Sequence, residues 1–301
     1  MIKAWLKRIV LWLGLLLCLY ALWRARALAG DAFVRISPVG WLMAGSLLVA
    51  GWLFAVLAWR QYLLACTGHD PGWRMSARQL GLLLVGKYVP GGVFGFLARM
   101  YDHAGAPRHR LLWAGLAEQM VAVAMSIAVG GVLYATAVLR DLAWACLVIP
   151  LPLIAILGLW LLRHSTAWLP WLRRHEILSL RFPWRKLLIA ASMQLIQQLA
   201  WAALVILLAC ELYGVDGYAA SGVAGAFLLA VAAGMLAIFA PGGIGVREAA
   251  LVGLASRWIG TEQAIFITAL LRILNTLLDM GAGSVAVLSG KRMKNTEGNR
   301  V

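Results

Sequence analysis

Seven ionisable side chains interrupt long apolar stretches of this chain: Lys87, Arg99, Glu118, Arg247, Glu248, Arg272 and Asp279. Each would cost roughly 2.5–3.5 kcal/mol at the centre of a membrane helix if unpaired. Together they would exceed the whole stability of an ordinary fold, so they must pair or face water. Four cations against three carboxylates leave one positive charge in excess, which suits an anion. Arg247 and Glu248 are adjacent and point to different faces of any helix, so they cannot neutralise each other; at least one must reach another helix or a ligand. Glu118 and Arg272 are candidates for interhelical ion pairs. Arg99 falls where a long side chain can snorkel to the interface, and Asp279 falls near a span end, where solvation is cheap.

Four of these groups sit close to helix breakers. The stretch KYVPGGVFGFLAR runs from Lys87 to Arg99, and FAPGGIGVREAA runs from Phe239 to Ala250. Pro90 and Pro241 lie 151 residues apart, about half of the 301-residue chain. A helix starting after each break would add backbone N–H donors and partial positive charge to the nearby cations. The candidate substrate-binding set is therefore Lys87, Tyr88, Gly91, Gly92, Arg99 and Glu118 around the first break. Around the second it is Gly242, Gly243, Arg247, Glu248 and Arg272. The chemistry is recognition of an anionic group such as phosphate, with the carboxylates orienting the cations or exchanging protons. No catalytic residue, metal ligand or cofactor is expected.

The elements that must position these residues are membrane helices. The chain is 63% hydrophobic and 13% charged, with a mean hydropathy of +0.84, which excludes an ordinary soluble domain. The expected fold class is an all-α integral membrane protein with about six full transmembrane helices and two re-entrant broken hairpins. Spans are expected near 8–29, 38–60, 111–138, 142–162, 187–210 and 263–289. The hairpins take 79–107 and 219–260. Tryptophans near span ends, among them Trp41, Trp59, Trp113 and Trp184, fit an interfacial belt. With the N-terminus in the cytoplasm, 18 of the 27 Lys and Arg fall inside and five outside, a strong positive-inside bias. Each half then makes three crossings, so the second half enters the membrane inverted. A single membrane domain of two inverted-topology repeats follows, about 1–140 and 141–290, with 291–301 as a basic cytoplasmic tail.

The first apolar run, Ile9 to Trp23, is followed by RARALAG and imitates a secretory signal. Arginines crowd the would-be cleavage region and further spans follow, so a retained first helix is expected. Cys18, Cys66, Cys146 and Cys210 lie in or beside apolar segments and are expected to act as small buried hydrophobes.

Several motifs fail on inspection. Gly81 to Lys87 fits the first seven positions of a phosphate-binding loop, but Tyr88 stands where a Mg²⁺-binding hydroxyl is needed. The five histidines show no zinc-ligand spacing. The basic, aromatic segment Trp168 to Lys186 is expected to lie along the inner membrane surface against anionic lipid. No nucleic-acid partner is expected.

The core Tyr88-Val89-Pro90-Gly91 with Gly95 and Arg99, the later Glu118, and Pro241-Gly-Gly-Ile-Gly245-Val-Arg247-Glu248 resemble the lysylphosphatidylglycerol synthase transmembrane family. This is a flippase-like membrane domain found alone or fused to a synthase; here the stand-alone form is expected. Members often carry Arg after the glutamate that corresponds to Glu118, where this chain has Gln119. The resemblance implies a lipid flippase of the bacterial inner (cytoplasmic) membrane, with both termini cytoplasmic. Its cargo would be an anionic or lipid-linked headgroup: aminoacylated phosphatidylglycerol, a polyprenyl phosphate or a glycolipid. The partners expected are membrane lipids with anionic headgroups, further copies of the chain, and envelope lipid-modifying enzymes. The alternatives are a membrane-embedded transferase acting on a lipid carrier and an accessory subunit of an envelope-synthesis complex. The transferase would need a metal site or an identifiable base and nucleophile.

Overall fold

The computed structural model describes residues 34–86, 94–102, 107–139, 183–237, 243 and 245–298. Among them stand eight helices: α1 Pro38–Thr67, α2 Gly72–Gly86, α3 Phe94–Asp102, α4 Arg108–Leu139, α5 Trp184–Tyr213, α6 Gly217–Leu236, α7 Val246–Ile259 and α8 Thr261–Gly298. The described residues contain no strand, and the protein is an all-α integral membrane protein. Four of the expected spans coincide with α1, α4, α5 and α8. The expected spans at 8–29 and 142–162, the retained first helix, Cys18, Cys146 and most of the basic segment 168–186 lie outside the described residues.

Both Pro-Gly-Gly stretches separate helices. The first stands between α2 and α3, and the second between α6 and α7. The two hairpins are unequal. α2 has 15 residues and α3 has nine, about 22 and 13 Å of helix, and neither covers a bilayer core of about 30 Å. α6 has 20 residues and is by itself long and apolar enough to cross. The second break thus comes only after a full bilayer's depth of helix, a difference from the re-entrant arm expected there. α8 runs on past the expected span end at 289 to Gly298, so the start of the basic tail is helical.

Helix ends are set by local chemistry. Ser37 Oγ accepts from Gly40 N–H at 2.9 Å and Pro38 opens α1. Asp216 caps α6 by accepting from Ala219 N–H at 2.8 Å. Between α1 and α2, Arg60 pairs with Asp70, whose carboxylate also accepts from Gly72 N–H. The Arg60 guanidinium, helped by that N–H, holds the Asp70 carboxyl down to about 2.

Helix directions follow from contacts at their ends. Ser37, at the start of α1, donates its N–H to Glu211 near the end of α5 at 2.9 Å. Tyr62, near the end of α1, donates its hydroxyl to Gln194 near the start of α5 at 2.8 Å. α1 and α5 are therefore packed antiparallel. Tyr213 Oη donates to Gln263 O at 2.9 Å, which brings the start of α8 to the end of α5.

The pairing between halves is crosswise. α2 packs against α8, and α6 packs against α4. Both crossings are close because small residues meet. A Cβ on Gly225 of α6 would lie 2.5 Å from Tyr134 N and 2.7 Å from Gly130 O of α4. A Cβ on Gly81 of α2 would lie 2.6 Å from Ala282 O of α8. Small residues that let backbones approach are a common means of helix association in lipid, where hydrophobic transfer drives nothing.

The larger core joins α1, α5, α6, α7 and α8 through Leu48, Leu204, Leu208, Phe227, Leu251 and Ile267. A smaller one gathers Trp59, Tyr62 and Leu63 of α1 with Ala114 and Ala117 of α4 and Ala190 of α5. Large apolar side chains remain on the outside, such as Leu42 at 72% exposure. On helices long enough to cross a membrane, that surface is matched to lipid. Cys66 is buried and Cys210 half-buried, both as free thiols.

Candidate functional site

Glu248 stands one turn into α7. One carboxylate oxygen accepts from the Gly245 N–H at 2.6 Å, and the other pairs with Arg272 on α8. The acidic group thus satisfies an otherwise orphaned donor at the helix start and ties the short post-break helix to the long one after it. Gly245 has φ 87° and Gly243 has φ 69°, backbone conformations that glycine adopts without penalty. A Cβ on Gly243 would meet the Gly234 backbone at 2.8–3.1 Å, so glycine also lets the two arms of this hairpin close. Arg247 turns the other way and lies over the Phe227 ring at 4.9 Å.

The first half has a matching pair with the charges exchanged. Arg99 of α3 donates from Nη1 to Glu118 Oε2 of α4 at 2.6 Å. Its Nε donates to Gln79 O at 3.0 Å, and the guanidinium lies 3.9 Å over the Trp59 ring. Trp59 Nε1–H in turn donates to Gln79 Oε1 at 3.0 Å. Gln194 Nε2 donates to Glu118 O at 3.3 Å, and Gln198 Nε2 donates to Ser126 Oγ at 3.0 Å. Here too a glycine closes the hairpin: a Cβ on Gly95 would lie 2.8 Å from Leu83 O. Arg99 is 2% exposed, so it is buried in an ion pair and not snorkelled to the interface.

Between the two hairpins lies a cavity of about 580 Å³, with walls from α1, α2, α4, α5, α6 and α8 and from residues at both breaks. Its size is that of a small-molecule site. Of the eleven sequence-predicted site residues, Glu118, Gly243 and Arg247 line it. Arg99, Glu248 and Arg272 stand in ion pairs and are not part of its wall. Lys87, Tyr88, Gly91, Gly92 and Gly242 lie outside the described residues.

The wall also contains residues outside the sequence-predicted set. Gln194, Gln197, Gln198 and Trp201 form one polar face of α5, Gln119 follows Glu118 on α4, and Asn275 and Asp279 lie one turn apart on α8. Asp279 is 2% exposed and faces this cavity, not a solvated span end. The signal was present: residues 194, 197, 198 and 201 share a face at helical spacing. An amide carries no formal charge, so it lacks the buried-ion cost that marks Glu118 or Arg247 as needing a partner.

No curated protein and no solved structure matches the chain. The family model described as the lysylphosphatidylglycerol synthase TM region matches residues 10–283. With the match spanning nearly the whole length, the two hairpins and the cavity between them are features of a member of that family, to which this chain belongs.

Proposed function

We propose that the protein is a lipid flippase of the bacterial inner membrane. It takes an anionic or lipid-linked headgroup through the cavity while the acyl or prenyl tails stay in the bilayer. The observation that carries this reading is the cavity itself. Polar side chains from several helices meet in a space among apolar helices of membrane-crossing length, and Gly95 and Gly243, beside the two breaks, line it. Irregular backbone at such depth persists only where protein or a water-filled cavity covers it. Membership of a family of membrane domains linked to lipid handling supports the same reading. Arg247, at the second break, is the cation offered to the lipid phosphate, and the protein performs no bond chemistry on its cargo.

The antiparallel packing of α1 on α5 supports an inverted pair of repeats, about 1–140 and 141–290. On this reading α1, α2, α3 and α4 correspond in order to α5, α6, α7 and α8. The exchanged contacts, α2 with α8 and α6 with α4, then map onto each other. So do the two ion pairs that tie a short post-break helix to its long successor. Both termini face the cytoplasm.

Reconstitution tests the activity. Purified protein in liposomes should speed the transbilayer movement of headgroup-labelled anionic phospholipid without altering it chemically. Arg247→Ala should slow that movement at least about tenfold relative to the exposed Arg185→Ala, one charge-assisted contact's worth. Folded protein that moves no anionic or lipid-linked headgroup overturns the proposal.

A further inference from the structure

The lipid-transport reading leaves the amides of the cavity wall unexplained. Phosphate recognition uses Arg247, yet among the polar side chains of the described lining the five amides outnumber the three charged groups. Four of the uncharged hydrogen-bonding groups have unspent capacity. Trp52 Nε1 is buried with no hydrogen-bond partner among the described residues. The carboxamides of Gln119 and Gln197, both half-buried on the wall, have no partner among them either. Asn275 donates to Leu271 O at 2.8 Å, which leaves its carbonyl oxygen able to accept. These groups come from four helices, α1, α4, α5 and α8, and all border one cavity.

Charge does not dominate the wall. Glu118 is answered by Arg99 directly behind it. Arg247 and Asp279 are the other charged lining residues among those described, and they are of opposite sign. A headgroup made of phosphate alone would leave the amides and the indole N–H unanswered. A lysyl headgroup would call for carboxylates, and of the two on the described wall Glu118 is held by Arg99 and Asp279 has an interaction of its own. A carboxamide both donates and accepts, as does a hydroxyl, so the two match without any ionised group. The rings of Trp52 and Trp201 add flat apolar surface against which the C–H face of a ring can lie.

We infer that the cavity selects a polyhydroxylated headgroup, a sugar or cyclitol carried on a phosphodiester. Its hydroxyls bond to Gln119, Gln197 and Trp52, and its single phosphate charge meets Arg247. This rests on the cavity being a lipid-headgroup site.

Two lipids with the same acyl chains and the same charge isolate the hydroxyls: dioleoyl phosphatidylinositol and dioleoyl phosphatidylethanol. Native mass spectrometry of the full chain in detergent gives the affinity for each. Phosphatidylinositol should bind about tenfold tighter, the factor that one or two net hydrogen bonds supply. The Gln119→Leu/Gln197→Leu double variant should bring the ratio close to one. Equal affinities in the unaltered protein, a ratio unchanged by the leucines, or tighter binding of lysyl-phosphatidylglycerol would each overturn the inference. The first and third of these outcomes need no variant to fold. Transbilayer movement of the same two diacyl lipids is read separately in liposomes. A binding preference without movement sinks transport and keeps the polyol site; movement without preference does the reverse.

Discussion

Arg99 reaches neither bulk water nor the cavity, although its sequence position suited either. Its guanidinium is enclosed by Glu118, the Gln79 carbonyl and the Trp59 ring, three groups from three other helices. Such a pair does little for net stability against a well-packed apolar replacement, but removing one partner leaves an uncompensated buried charge. Glu118→Leu should therefore destabilise the protein by roughly 3–5 kcal/mol, read as a lowered midpoint in denaturation of the detergent-solubilised protein. The Arg99→Met/Glu118→Met double variant should recover most of that loss. A double variant as unstable as the single one would mean that the residues hold the structure in some other way. The existence of these charges was legible from their types and their apolar setting. Their partners were not, because Arg99 and Glu118 stand on different helices, whose relative placement no local residue pattern encodes. The same holds for Glu248 and Arg272, which meet only when α7 lies along α8.

At the scale of elements, the breaks and four of the spans followed from hydropathy and from Pro-Gly-Gly alone. What escaped was where the second break sits relative to bilayer depth, since α6 alone matches a full crossing. The crosswise packing of α6 on α4 was also illegible. It depends on Gly225 and Gly130, two of 31 glycines in a chain where glycine is common everywhere. Geometry now separates them from the rest. A methyl on Gly225 would strike backbone atoms of α4, which cannot rotate aside. Gly225→Ala should therefore cost about 1–3 kcal/mol as an overpacked contact. Gly253→Ala on α7, where no atom lies within 4 Å of the added carbon, should be neutral or stabilising by up to about 1 kcal/mol. The two midpoints measured side by side check this: equal effects would remove close approach as the reason for the α4–α6 crossing.

For the whole molecule, the contacts at helix ends sort the chain into two faces. The start of α1, the end of α5 and the start of α8 share one face, through Ser37–Glu211 and Tyr213–Gln263. The end of α1 and the start of α5 share the other, through Tyr62–Gln194. The second face carries Arg60, Arg74, Arg185 and Lys186, whereas Glu211, Asp216 and Glu262 stand on the first. A face rich in Lys and Arg is retained in the cytoplasm. His69 and Glu262 are both exposed and lie on opposite faces by this sorting. In a background with Cys18, Cys66, Cys146 and Cys210 replaced, His69→Cys should react with a membrane-impermeant thiol reagent only after the membrane is opened. Glu262→Cys should react in intact spheroplasts. Reaction of both from one side would break the antiparallel relation of the halves as a membrane topology, and the inverted repeat with it. Reaction from opposite sides in the reverse order would keep the repeat and turn the molecule over.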